Sequence, residues 1–138
     1  MQELGYEFPR LKTFATLSPI PGFRTWLAGV ARDVADRLPE LARLQETNWH
    51  EDADTAARLR QPLTGLCAYY LTQVKKNDEP LDAVARFHLG NGARMEKLNW
   101  LADTSKSGMQ RAAGLMVNYV YRLGDVERNH EAFVREHE

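Results

Sequence analysis

At 138 residues, with 43% hydrophobic and 27% charged side chains, the chain has one domain's length and enough apolar content for a real core. Lys+Arg 18 against Asp+Glu 19 leaves a net charge of -1, and the arginines are spread through helical segments, so no basic field points to a nucleic-acid partner. No stretch has the length of a transmembrane helix, and the start MQELGYEF has neither the basic flank nor the apolar core of a signal peptide. The expectation is an intracellular chain without a membrane partner. A locally basic cleft for a phosphorylated cofactor stays open.

In chain order, residues 2–6 resemble the last turn of a helix stopped by Gly5, as if the chain began inside a larger domain. Residues 11–17, LKTFATL, carry the β-branched and aromatic residues of a short strand, and Pro19 ends it by biasing Ser18 toward extended geometry. Ile20-Pro21-Gly22 then suits a type II turn, with glycine at the position that needs positive φ. The next run, RTWLAGVARDV, has helical spacing. Pro39 restarts a helix through ELARLQE, and the polar NWHEDAD segment offers Asp52 or Asp54 as a cap for TAARLRQ. Pro62 fits the first turn of another helix, PLTGLCAYYLTQV, whose apolar face includes Leu63, Leu66, Cys67, Tyr70, Leu71 and Val74.

KKNDEP reads as a solvated loop, and LDAVARFHL as a short helix ending at Gly90-Asn91-Gly92. Helix and strand compete over residues 93–103. Residues 114–123 have strand composition, with Leu115, Val117, Tyr119 and Tyr121 on one face and Met116, Asn118, Val120 and Arg122 on the other. SKSG at 105–108 would turn the two strands into a hairpin, and residues 125–138 read as a closing helix. The order of a strand, several helices, two strands and a last helix implies an α/β or α+β fold.

The single cysteine, Cys67, rules out a disulfide framework or a thiolate metal cluster within one chain. Its apolar neighbours favour a buried thiol over an intermolecular disulfide. No HExxH or close Cys/His or His/Asp spacing supports a metal site, and His50, His130 and His137 sit among charged or polar residues as surface histidines. Ser18 is held by stiff backbone between a strand and a turn, which suits either a capping hydroxyl or a reactive one. His88 lies between Phe87 and Leu89 just before the glycines, which suits either a helix-end core residue or a proton carrier near neutral pH. The two are far apart in sequence, and no GxSxG elbow surrounds Ser18.

LSPIPGF at 17–23, LDAVARFHLGNGARMEKLNWLAD at 81–103 and GLMVNYVY at 114–121, with PLTGLCAYYL between them, resemble malonyl-CoA decarboxylase in order over nearly the whole chain. The resemblance implies a catalytic domain with the GNAT, or acetyltransferase-like, fold: a mixed sheet with flanking helices. The implied activity is conversion of malonyl-CoA to acetyl-CoA and carbon dioxide. No separate cofactor is implied, coenzyme A being part of the substrate.

Carried over by matching motifs, Ser18 and His88 correspond to the family's active-site serine and histidine, and Tyr121 to a tyrosine of the same pocket. The resemblance gives Ser18 the task of orienting the malonyl carboxylate, without covalent attack, and His88 that of protonating the enolate. Tyr121 serves as a pocket hydroxyl or a core aromatic, and Asn91 as a turn residue or a substrate contact. In the family, the CoA pyrophosphate segment lies before LSPIPGF and a helical oligomerisation domain precedes the catalytic one. Residues 1–138 would then be the C-terminal portion of the catalytic domain, of a homo-oligomer when intact or completed by a chain supplying the missing half. The location would be cytoplasmic in a bacterium and mitochondrial, peroxisomal or cytosolic in a eukaryote. Acyl transfer on the same fold and an inactive CoA-binding or protein-interaction fragment are the alternatives.

Overall fold

The computed structural model describes residues 13–122. The expected first helical turn, the closing helix, His130 and His137 lie outside them. β1 (Thr13–Ser18) leads through a tight turn into α1 (Phe23–Ala35), followed by 3-10 turns at Pro39–Gln45 and Trp49–Glu51 and by α2 (Ala53–Gln73). A small ribbon of β2 (Lys75–Lys76) and β3 (Glu79–Pro80) precedes α3 (Ala83–Gly90), β4 (Arg94–Asn99), α4 (Lys106–Ala112) and β5 (Met116–Arg122). The result is a partial sheet flanked by helices, in order β1-β5-β4. Both pairings are antiparallel, so the described residues lack the parallel pairing of a mixed sheet.

The alternation on β5 decides which face is covered. Val117, Tyr119 and Tyr121 are buried, while Met116, Asn118 and Val120 are half-buried. Register then places Thr16 opposite Tyr119 and Phe14 opposite Tyr121. Cross-strand partners share a face, so Phe14, Thr16 and Ser18 join the tyrosines beneath the helices. Phe14 and Tyr121 stack at 5.0 Å between ring centroids. The core continues through Ile20, Phe23 and Leu27 to Leu59, Leu63, Cys67, Tyr70 and Leu71 on α2.

Several expectations fail for identifiable reasons. Pro62 does not start a helix but lies inside α2. Thr55, Ala56 and Leu59 before it and Leu63, Cys67 and Tyr70 after it form one buried stripe, and that packing outweighs the lost backbone donor. KKNDEP is a hairpin, because Asn77 and Asp78 both take positive φ (55 and 65), the pair of conformations that a type I′ turn requires.

Residues 105–108 do not join β4 to β5 as a hairpin. They open α4, with the Ser105 hydroxyl accepting from the Gly108 N–H at 3.1 Å as an N-cap. Asp103 folds so close beneath this turn that its carbonyl oxygen and carboxylate occupy the place of a Cβ at Gly108. Glycine to alanine inside a helix ordinarily gains up to about 1 kcal/mol. Here Gly108→Ala is expected to cost about 1–3 kcal/mol through overpacking against backbone. A urea midpoint that rises in this variant would contradict that packing.

Gly22 is the most instructive case. Its φ of -104 and ψ of 0 belong to the third position of a type I turn, not type II, so positive φ does not explain the glycine. A Cβ there would lie 2.5 Å from the Tyr70 hydroxyl. Close approach, rather than backbone freedom, calls for glycine.

Candidate active site

Ser18 is the last residue of β1 and is 5% exposed, with its side chain on the covered face. Its Oγ lies 3.0 Å from Thr16 Oγ1 and 3.1 Å from His88 Nε2. His88 comes from the last turn of α3, and the turn that follows fixes its backbone: the Asn91 and Ala93 N–H groups both donate to the His88 carbonyl, at 3.1 and 3.0 Å. Gly92 supplies the positive φ, 89, that this closure needs. The other ring nitrogen, Nδ1, meets the Tyr121 hydroxyl at 2.5 Å.

The fold thus joins Thr16, Ser18, His88 and Tyr121 into one hydrogen-bonded chain, although Ser18 and His88 stand 70 positions apart. The imidazole also lies flat on Tyr119, with centroids 4.4 Å apart and planes at 19°. Burial holds the His88 pKa below its ordinary 6.5 and raises that of Tyr121. Near neutral pH the imidazole is therefore neutral and the phenol protonated. A neutral imidazole has one donor and one acceptor, so a proton on one nitrogen fixes the role of the other.

Asn91 is placed differently. Its carboxamide donates to the Phe87 carbonyl at 2.9 Å and holds the end of α3, outside the Ser18–His88–Tyr121 chain. His50 stands edge-on to Trp49 in its 3-10 turn. Cys67 is fully buried, and burial pushes its thiol pKa up, which leaves it the inert core thiol its neighbours suggested. Among the described residues no group of three His, Cys, Asp or Glu side chains is arranged to hold a metal ion.

Sequence reasoning missed Thr16 and Tyr119 as members of the site. The alternation that put Tyr119 on the face of Tyr121 already contained the signal. Once β1 pairs with β5, Thr16 and Ser18 fall on the same face.

The family model for the malonyl-CoA decarboxylase C-terminal domain matches residues 1–138. The mitochondrial malonyl-CoA decarboxylase of Rattus norvegicus is 37% identical over 94% of this chain, and that of Anser anser anser 33% over 97%; each alignment covers 31% of the relative. Among solved structures, malonyl-CoA decarboxylase from Rhodopseudomonas palustris superposes with a TM-score of 0.83 at 47% identity, over 99% of this chain and 33% of that one. The Agrobacterium vitis enzyme superposes at 0.76 with 43% identity, over 95% and 34%. The chain therefore spans about a third of the length of the relatives it matches.

Proposed function

Because the chain belongs to the malonyl-CoA decarboxylase family, by its C-terminal domain, we propose that it carries the acid–base part of a site that converts malonyl-CoA to acetyl-CoA and carbon dioxide. The observation that carries this reading is the Ser18–His88 hydrogen bond of 3.1 Å, backed at the other ring nitrogen by Tyr121. The remaining length of the relatives supplies the rest of a GNAT-like domain in this reading, including the cradle for the CoA pyrophosphate, and the helices through which the protein oligomerises.

The phenol supports a non-nucleophilic serine. In a nucleophilic triad a carboxylate accepts from Nδ1–H, leaving Nε2 free to take the serine proton. Here Nδ1 faces a phenol kept protonated by burial, and a phenol is a stronger donor than an aliphatic hydroxyl. Tyr121 O–H donates to Nδ1, and Nε2–H then donates to Ser18 Oγ. That direction leaves the serine unactivated as a nucleophile and its own proton free to donate. Ser18 therefore orients the malonyl carboxylate.

The chemistry follows from these protons. The bond between the α-carbon and the carboxylate breaks, carbon dioxide leaves, and the electron pair passes into the thioester enolate. The α-carbon then takes the Nε2 proton of His88 while Nδ1 takes the proton of Tyr121; solvent reprotonates Nε2 as Nδ1 returns its proton to Tyr121. One proton is consumed per turnover. Mass spectrometry of products tests the assignment: malonyl-CoA alone should yield acetyl-CoA and carbon dioxide. Consumption that requires an amine acceptor and gives an acylated product would point to acyl transfer. CoA binding without turnover would mark a binding fragment.

The depressed His88 pKa fixes the sign of two pH effects. The unfolded chain binds this proton around the ordinary 6.5, and the folded chain at lower pH. Between those values the unfolded state holds more protons, so stability falls as pH drops through 6.5 toward the folded pKa and levels below it. Turnover that needs neutral imidazole should persist past the same point. The acid limb of kcat/KM is expected below pH 6.5, and a limb at or above that value would contradict a desolvated His88.

A further inference from the structure

Behind the hydrogen-bonded chain lies a buried polar pair that the reaction scheme does not use. Asp82 is 2% exposed, and so is Tyr70. Asp82 Oδ2 accepts from the Ala85 N–H at 3.0 Å, which caps α3, the helix whose last turn carries His88. Its Oδ1 accepts from the Tyr70 hydroxyl at 3.2 Å. That hydroxyl in turn lies against the Gly22 Cα, four residues beyond Ser18, at a distance that leaves no room for a Cβ.

The contacts close a ring. From Ser18 the chain runs through the turn to Gly22, across to Tyr70 and Asp82, along α3 to His88, and back to Ser18 through the 3.1 Å hydrogen bond. The strand carrying the serine and the helix carrying the histidine are thus both seated on one phenol–carboxylate pair. A buried carboxylate with only its cap donor would lack a partner for its second oxygen, so Tyr70 and Asp82 hold each other in place.

We propose that Gly22, Tyr70 and Asp82 form a positioning unit that sets the distance between Ser18 and His88. The proposal rests on reading that pair as the reacting one. These three act through other residues. Their effect is on geometry at the reacting atoms, where a displacement of about 1 Å can cost on the order of a hundredfold in rate.

The test is a double-substitution cycle with Gly22→Ala, Tyr70→Phe and both together, in the full chain. Its two readouts are the NMR titration of His88, which needs no substrate, and kcat and KM for malonyl-CoA. The groups packed on His88 are Tyr119 and Tyr121 of β5 and Ser18 of β1, and burial is the cause of its shift, so a displaced imidazole titrates closer to 6.5.

Gly22→Ala is expected to move the midpoint upward and lower kcat on the order of tenfold, with KM within about twofold. Removing the phenol oxygen from that variant should bring both readouts within about twofold of Tyr70→Phe alone, because the added methyl then has space. If Gly22→Ala does not fold, recovery of the fold in the double variant supports the same contact, and failure of both overturns it. Independent, multiplying effects, or a Gly22→Ala variant with unchanged midpoint and kcat, would also overturn it. Absence of malonyl-CoA turnover in the unaltered protein would instead sink the proposed reaction, with the His88 midpoint still reading the positioning unit.

Discussion

Replacing His88 by alanine is expected to lower malonyl-CoA turnover by about 10²–10⁴-fold, the range for losing a positioned proton donor. Among the described residues the imidazole hydrogen-bonds both Ser18 and Tyr121, so its removal cuts the chain in two places. The loss should fall on kcat, because the proton is needed after binding. Folding should survive. His88 is half-buried and its side chain caps no helix, and its stacking partner Tyr119 is fully buried and held in the sheet between Thr16 and Met95. Steady-state kinetics beside a thermal melt separates the two effects, and a variant that retains more than a tenth of the parent kcat would remove His88 from the proposed role. Ser18→Ala is expected to leave slow decarboxylation in the same assay, and intact-mass spectrometry of the unaltered protein during turnover separates the two serine chemistries: a covalent nucleophile accumulates an acyl adduct, whereas an orienting hydroxyl does not.

Phe23→Ala is expected to carry the largest stability cost, about 3–5 kcal/mol. Phe23 has no exposed surface, and its ring stacks on Trp26 at 6.2 Å and meets Tyr70 at 5.9 Å. It opens α1 directly after the turn that leaves Ser18, so the cavity would form where strand, turn and α2 converge. The surrounding rings are large and stiff, which limits collapse into the space. Urea unfolding should show a lower midpoint at unchanged slope. A cost below about 1 kcal/mol would mean that the site collapses freely, contrary to this packing.

The elements with strong local pattern were legible in the sequence. β1 ends at Ser18 because Pro19 follows it, α1 carries helical spacing, α3 stops at the glycines, and β5 alternates cleanly. What escaped depended on contacts between distant segments. Pro62 looked like a helix start because the stripe that carries α2 through it is visible only once Thr55 to Tyr70 pack on one core. α4 looked like a turn because SKSG is a cap as readily as a hairpin, and the Ser105–Gly108 bond decides between them.

For the site, local physics left Ser18 and His88 each with an ordinary structural explanation, and family resemblance supplied the pairing. Their meeting depends on the register of β1 against β5 and on how α3 crosses the covered face, neither of which a single sequence states. Gly22 is the clearest lesson. The turn pattern marks the residue, yet positive φ is not what requires a glycine there, because the Tyr70 hydroxyl lies far away in sequence and against it in space.

Ser18 is proposed to hold the leaving carboxylate instead of attacking the thioester. A crystal structure of the full-length protein with a malonyl-CoA analogue bearing a non-leaving anionic group in place of the carboxylate tests it most directly. The anionic group is expected about 3 Å from Ser18 Oγ, with the adjoining carbon facing His88 Nε2. A thioester carbonyl carbon poised over Ser18 Oγ, or an acyl group bonded to it, would overturn that role.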